Sequence, residues 1–259
     1  MRANPDIESD VQRCRTDDET AVCVEAVTFS VSTHGGRLDI LRGVDLSIPK
    51  GTLVMLLGRS GTGKTTLLNC LSGLENPTSG RIRLGNVDLT ALSERARTRF
   101  RRTSVGIVFQ AHPLVPHLTV AENIALTMRL AGVPRGSWKT RIDEALAGIG
   151  LLRRAEHFPD ELSGGEQQRA AIARAIAHRP PFLFADEPTA ELDSARAAEV
   201  IRLFRRLAHD DGLTIVMTTH DLSLLEFADE VYEMSDGRAV RRTSVPARAE
   251  PVVPPDNAS

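Results

Sequence analysis

Cysteine is scarce. Cys14, Cys23 and Cys70 lie scattered through 259 residues, with no Cys-x-x-Cys pair and no histidine cluster beside them. That spacing argues against a disulfide framework or a zinc site and suits a reducing compartment. Long apolar runs are missing as well. No stretch approaches the roughly 20 apolar residues that a bilayer-spanning helix needs. The first residues, Met1-Arg2-Ala3-Asn4-Pro5-Asp6-Ile7-Glu8, hold no apolar core of a signal peptide. The expectation is a protein that does not enter a membrane by itself. An excess of one charge is also absent. Thirty-two Lys and Arg against 34 Asp and Glu leave a formal net charge of −2, so no global field draws in nucleic acid. Five arginines between Arg95 and Arg102 form one local patch. It reads as a solvated helix face, or a face near acidic headgroups or a partner, ahead of a nucleic-acid site. Tryptophan occurs once, as Trp138, and is expected in core packing or a partner contact.

What remains is the composition of an ordinary globular protein, 41% hydrophobic and 25% charged, long enough for one large α/β domain or two small ones. Residues 1–20 are polar and mixed in charge, and are expected to be a flexible extension. Residues 243–259 are rich in Pro, Ala and Ser and are expected to be a disordered tail. Between them, residues 21–29 and 41–48 partly alternate as strands do, with a turn at His34-Gly35-Gly36, and residues 80–89 read as a hairpin. Residues 105–109, 181–187 and 213–220 each hold a short apolar run that reads as a fully buried strand. From Thr119 to about Leu152 apolar residues recur at helical spacing, with Gly132-Val133-Pro134 between two helices. Buried strands alternating with helices predict a mainly parallel sheet covered on both faces.

The densest chemical signal is Gly58-Arg59-Ser60-Gly61-Thr62-Gly63-Lys64-Thr65, followed by Thr66. An apolar run precedes it and a helical pattern follows, which is the context that gives G-x-x-x-x-G-K-[ST] meaning. Glycines let the backbone wrap close to an anion. Successive N–H groups and the positive end of the helix face phosphate. Lys64 adds a charge near the β- and γ-phosphates, and the Thr65 hydroxyl is suited to ligating Mg²⁺. The motif predicts binding of a nucleoside triphosphate.

Four further features fall at predicted strand ends or helix starts. Asp186 follows the apolar run 182–185 and is placed to serve Mg²⁺, which frees Glu187 to orient or deprotonate an attacking water. A helix cap or surface turn is the plain alternative for such a pair. His220 ends the run 213–219 and is either a satisfied strand-end histidine or a γ-phosphate contact. Gln110 ends the run 105–109 and is either a turn residue or a neutral ligand for Mg²⁺ or water. Ser163, Gly164, Gly165 and Glu166 open a helix with a Ser-x-x-Glu capping box. A cap does not by itself require two adjacent glycines, and together they offer a hydroxyl and bare N–H groups to an anion. The chain thus carries two phosphate-grade elements, about a hundred residues apart.

At this point the sequence resembles the ATP-binding-cassette (ABC) nucleotide-binding domains over residues 21–242. The matching parts, in family order, are residues 58–65 (Walker A), Gln110 (Q-loop), Leu162-Ser163-Gly164-Gly165-Glu166 (signature), residues 182–187 (Walker B with its glutamate), Glu191-Leu192-Asp193 (D-loop) and His220 (H-loop). The resemblance implies a P-loop NTPase (RecA-like) α/β core with a mainly parallel sheet, an N-terminal antiparallel β subdomain, and an inserted α-helical signature subdomain at about residues 115–165. It implies ATP and Mg²⁺ as cofactors. It also implies a head-to-tail homodimer in which Walker A of one copy and Ser163-Gly164-Gly165 of the other enclose each ATP. Within the family, Leu41-Arg42-Gly43-Val44, Leu114-Val115-Pro116-His117-Leu118-Thr119-Val120-Ala121-Glu122-Asn123 and Ala185-Asp186-Glu187-Pro188-Thr189 resemble the lipoprotein-releasing and macrolide-exporter class. Two positions depart from the family pattern. Val31 stands where an aromatic residue stacks on adenine, with Phe29 and His34 as nearby substitutes, and Ala190 stands where Gly or Ser is usual.

The expected function is that of a cytoplasmic ATPase subunit, peripheral on the inner face of the membrane through a separate permease, with no nucleic-acid partner. A cassette ATPase acting on ribosomes or DNA is the first alternative. Such relatives carry two cassettes in one chain or a long coiled-coil insertion, and this chain has neither. A regulatory module with weak or no hydrolysis is the second; the intact Lys64, Asp186, Glu187 and His220 speak against it.

Overall fold

The computed structural model describes residues 19–33, 36–110 and 114–242. The expectations for residues 1–18 and 243–259, and for His34 and Gly35, lie outside this range. Among the described residues ten strands form two sheets. The first is antiparallel, with the order β2-β1-β4-β5: β1 is Thr20–Thr33, β2 Gly36–Pro49, β4 Ser79–Leu84 and β5 Val87–Asp88. The second has the order β10-β9-β3-β8-β7-β6. Its members are β3 (Leu53–Leu57), β6 (Val105–Val108), β7 (Phe182–Ala185), β8 (Thr214–Thr219), β9 (Glu230–Ser235) and β10 (Arg238–Arg241). Its neighbours pair in parallel except for the antiparallel edge strand β10.

β3 shows why its sequence lacks alternation. Leu53, Met55 and Leu57 enter one core cluster, and Val54 and Leu56 enter the other. Successive side chains point to opposite faces of a strand, and here both faces are covered. On one side lie α1 (Lys64–Leu71) and the antiparallel sheet, contributing Leu67, Leu71, Val22 and Ile48. On the other lie four helices: α3 (Val120–Leu130), α4 (Trp138–Gly148), α5 (Gly164–Ile176) and α6 (Ser194–His209).

The helical stretch joins the sheet through α5. Its alanines 170, 171, 173 and 175 are buried and allow close approach. A Cβ at Gly106 of β6 would lie 2.5 Å from the backbone oxygen of Ala175, closer than any real side chain tolerates. α3 is fixed at its start by a reciprocal capping box between Thr119 and Glu122. Trp138 is half-buried; its indole N–H donates to the Val133 carbonyl at 2.8 Å, and the Arg135 guanidinium lies over its ring.

Three details differ from the sequence reading. The arginine run forms α2 (Glu94–Ser104), but its face is not wholly solvated. Arg97 is buried against Gly73 and paired with Glu94 at 3.2 Å, and Arg101 donates to the Gly73 carbonyl. Helical periodicity sorts the run: Arg95, Arg99 and Arg102 stay exposed while the two others clamp the turn after α1. Phe109 lies past the end of β6 and is 39% exposed, so the buried strand stops at Val108. The spacing argued against a disulfide framework, yet Cys23 is disulfide-bonded; spacing along the chain does not reveal which thiols a fold brings together. Cys70 is a buried free thiol, pushed up to about 12 by burial. No helix among the described residues is long and apolar enough to cross a membrane.

His178, between α5 and β7, is buried, and burial pushes its imidazole down to about 4 against an ordinary 6.5. The unfolded chain takes up this proton near pH 6.5 and the folded chain only near 4. Stability is therefore complete above that window and falls as pH drops through it. By pH 5 the expected loss from this group is about 2 kcal/mol. Urea midpoints of the wild type and His178→Gln at pH 7 and pH 5 check this, with the variant losing less between the two.

Candidate functional site

The loop after β3 is shaped by what presses on it. A Cβ at Gly58 would lie 2.6 Å from the Met234 carbonyl oxygen of β9, and one at Gly63 would lie 2.9 Å from the Leu41 side chain of β2. Gly61 and Gly63 also adopt positive φ, +81° and +99°, which other residues reach at a cost. Thr62 closes the loop with its hydroxyl on the Arg59 carbonyl at 2.9 Å, and Arg59 and Ser60 are exposed at the tip. Lys64 is 6% exposed, and its ammonium donates to the carbonyls of Gly58 and Arg59 at 2.7 and 3.0 Å. Thr65 and Thr66 follow in the first turn of α1. That helix begins with Gly63 and has no side-chain cap and no acidic residue in its first turn. Its leading N–H groups and dipole are left to an anion from outside.

Strand order brings the acids to this loop. The phosphate loop follows β3, the acidic pair follows β7, and β8 runs between them. The Thr65 hydroxyl donates to Asp186 Oδ2 at 2.8 Å. The Thr218 hydroxyl, near the end of β8, donates to Asp186 Oδ1 at 2.6 Å and accepts the Glu187 N–H at 2.8 Å. Glu187 sits at φ +46°, a region that non-glycine residues seldom occupy and that clusters at functional sites. Its carboxylate lies 3.4 Å from His220 Nδ1, with the histidine side chain 68% exposed.

This donor set fits Mg²⁺ with a nucleotide. Thr65 and Asp186 would offer it one hydroxyl and one carboxylate, already 2.8 Å apart, with phosphate oxygens and waters ordinarily supplying the rest. Among the described residues no cluster of three or more His, Cys, Asp or Glu forms a metal site by itself. Gln110 follows β6, where the Asp186 N–H donates to the Val108 carbonyl at 2.8 Å. It is exposed at the same sheet end, and among the described residues no hydrogen bond joins it to Thr65 or Asp186.

The second phosphate-grade element is more occupied than its sequence suggests. The Ser163 hydroxyl accepts the Glu166 N–H and donates to the Glu166 carboxylate at 2.9 Å, and the Ser163 N–H donates to that carboxylate at 2.9 Å. Arg154 pairs with the other oxygen of Glu166 at 3.2 Å. The Ser163 bonds, then Arg154, hold the Glu166 carboxyl below the usual carboxylate range. The two glycines have a packing reason as well. A Cβ at Gly164 would lie 2.9 Å from Glu191 Oε2, and one at Gly165 would lie 3.0 Å from Leu192 Cδ2. The 189–193 turn therefore rests on the start of α5. Among the described residues no hydrogen bond joins Ser163 to the loop at 58–65.

The residue that sequence reasoning missed is Thr218. Its signal was weak: it is one of three threonines, with Thr214 and Thr219, in a strand buried along its whole length. Of the proposed base-stacking positions, Phe29 packs against the core and Val31 pairs with Leu38 on the β1–β2 arm.

Comparisons with known proteins agree on one family. Residues 41–190 match the family model described as ABC transporter. An uncharacterized ABC transporter ATP-binding protein of Mycobacterium tuberculosis is 49% identical over 212 residues, 82% of this chain and 64% of the relative. This chain thus spans less than two thirds of that relative's length. The lipoprotein-releasing system ATP-binding protein LolD 2 of Caulobacter vibrioides is 43% identical over 205 residues, covering 79% of this chain and 90% of that protein. Among solved structures, the dimeric post-hydrolysis state of the ATP-binding cassette MJ0796 bound to ADP and Pi superposes with a TM-score of 0.82 at 35% identity, over 88% of this chain and all of that one.

The contact at Gly58 gives a direct test of the loop. Gly58→Ala has to displace a backbone carbonyl, so nucleotide affinity is expected to fall tenfold or more, about 1.4 kcal/mol. Titration with a fluorescent ATP analogue measures it, with the unfolding midpoint as the check on folding.

Proposed function

The chain belongs to the ABC transporter ATP-binding family, and on that premise we propose that it hydrolyses ATP to drive a separate membrane permease of export type. The observation that carries the reading is the Thr65–Asp186 hydrogen bond of 2.8 Å, with Glu187 next in sequence and facing His220. That bond joins the start of α1 to the Asp186 carboxylate, which supports one shared site for the loop at 58–65 and the acidic pair.

The motif chemistry and the family support the following roles. Lys64 and the N–H groups opening α1 hold the β- and γ-phosphates. Thr65, Asp186 and Gln110 would hold Mg²⁺, directly or through water. When bound, Mg·ATP supplies the phosphoanhydride whose hydrolysis releases the driving free energy. Glu187, already set aside from Asp186 by its backbone, orients a water and accepts its proton. His220 sits against the Glu187 carboxylate and serves the γ-phosphate side. Ser163, Gly164, Gly165 and Glu166 contribute to the nucleotide site of a second copy, which requires the Ser163 hydroxyl to leave Glu166. Pairing of two copies is supported by the dimeric MJ0796 cassette, and we take that pairing as head to tail. The lipoprotein-releasing relative supports a lipoprotein as cargo, within a reading of export or extrusion that also admits a peptide or drug. On this reading the chain is cytoplasmic and held at the membrane by its permease, with residues 110–152 passing on the motion.

Glu187→Gln is expected to keep ATP affinity within about threefold while kcat falls a hundredfold or more, leaving an ATP-trapped dimer on size exclusion. Wild-type turnover in that variant removes Glu187 from its role. Ser163→Arg is expected to spare nucleotide binding by the monomer but abolish ATP-driven dimerisation, whereas Lys64→Ala weakens both. Losing the Ser163 cap costs about 1 kcal/mol of stability in addition, which a melting curve separates. ATPase activity stimulated by ribosomes or DNA, and not by permease-bearing membranes, would overturn the transport reading.

A further inference from the structure

We infer that Thr218 is a positioning residue for hydrolysis: its hydroxyl ties the backbone of Glu187 to the carboxylate of Asp186, so that the metal-side acid and the water-side acid are set as one unit. This rests on the ATPase reading above and adds a residue to it.

β8 is buried along its whole length. Thr218 is fully buried and pairs with Leu56 of β3, while Val216 and Met217 precede it. An aliphatic side chain would suit such a place. A hydroxyl there is costly unless it is hydrogen-bonded. Thr218 uses both of its capacities, and both go to the acidic pair. It donates to Asp186 Oδ1 at 2.6 Å and accepts the N–H of Glu187 at 2.8 Å.

The amide it holds belongs to the residue in the unfavourable conformation. Glu187 has φ +46°, which persists only where the surroundings over-determine it. The Thr218 bond acts on one side of that residue. On the other, the Ala190 N–H donates to the Glu187 carbonyl at 3.2 Å. With Thr65 on the remaining oxygen of Asp186, the chain of contacts Thr65–Asp186–Thr218–Glu187 is continuous from the first turn of α1 to the residue after the metal-side acid. Without the hydroxyl, Asp186 keeps one partner and the Glu187 amide loses its own. The Glu187 carboxylate is then aimed by His220 alone, at 3.4 Å and from an exposed side chain.

Two measurements test this. The first is amide hydrogen exchange on ligand-free protein. In the wild type the Glu187 amide is expected to exchange at least about tenfold more slowly than exposed amides of the same loop. Thr218→Val, which keeps the shape and removes the hydroxyl, brings it to the loop rate, and Thr218→Ser leaves it slow. The second is steady-state ATPase kinetics. Thr218→Val is expected to lower kcat about 10- to 100-fold with KM for ATP within about twofold, and Thr218→Ser to return kcat to within about threefold of wild type. An unprotected Glu187 amide in the wild type overturns the inference, and so does wild-type kcat in Thr218→Val. Equal losses in the Val and Ser variants also overturn it, since they assign the effect to the γ-methyl group. A wild-type protein that hydrolyses no ATP sinks the ATPase reading instead, and the exchange rates alone then decide whether Thr218 holds Glu187.

Discussion

The carboxylate of Asp186 is the joint on which the site depends. An acid at the end of a strand whose residues are all buried has to be surrounded by donors, because an unpaired charge at such a place is expensive. Its donors come from separate stretches of chain. Thr65 reaches it from α1 and Thr218 from β8, while its own N–H is taken by Val108 of β6. Strand order makes this possible. The phosphate loop hangs from β3 and the acids from β7, and β8 fills the gap between them. A hydrogen-bonding side chain near the end of β8 is therefore placed to touch both.

The rest of the fold serves that meeting of strand ends. Covering the parallel sheet on both faces fixes β3, β7 and β8 from above and below, so their ends have little freedom. The phosphate loop is confined from outside as well, by β9 against Gly58 and by β2 against Gly63. These are contacts of backbone and core side chains, which yield less than surface groups. α5 transmits the same rigidity outward, since Gly106 lets it lie directly on β6.

Much of this was legible in the sequence because the signals were local. The loop at 58–65 sits between a strand run and a helix run, and each of the runs ending near Gln110, Asp186 and His220 is short, apolar and punctuated by a polar residue. The capping box at Ser163 and Glu166 could be read from spacing alone. What the sequence hid was non-local. It gave a reason to see an anion site in Gly164 and Gly165, but not that Glu191 and Leu192 crowd them from about 25 residues away. It showed five arginines, but not that Gly73 admits Arg97 to the interior. It placed Thr218 in a buried run where threonine passes as one more β-branched residue, and only the pairing of β3, β8 and β7 shows what its hydroxyl does.

The bare start of α1 carries a consequence of mass action. α3, α5 and α6 each begin with a side chain that satisfies an amide, and α1 does not. An anion that settles there supplies what those three helices take from their own sequence, and it does so only in the folded chain. Ligand and folding are then linked, and a nucleotide at a hundred times its dissociation constant adds about 2.7 kcal/mol of stability. Removing the nucleotide withdraws that same stabilisation from the folded chain.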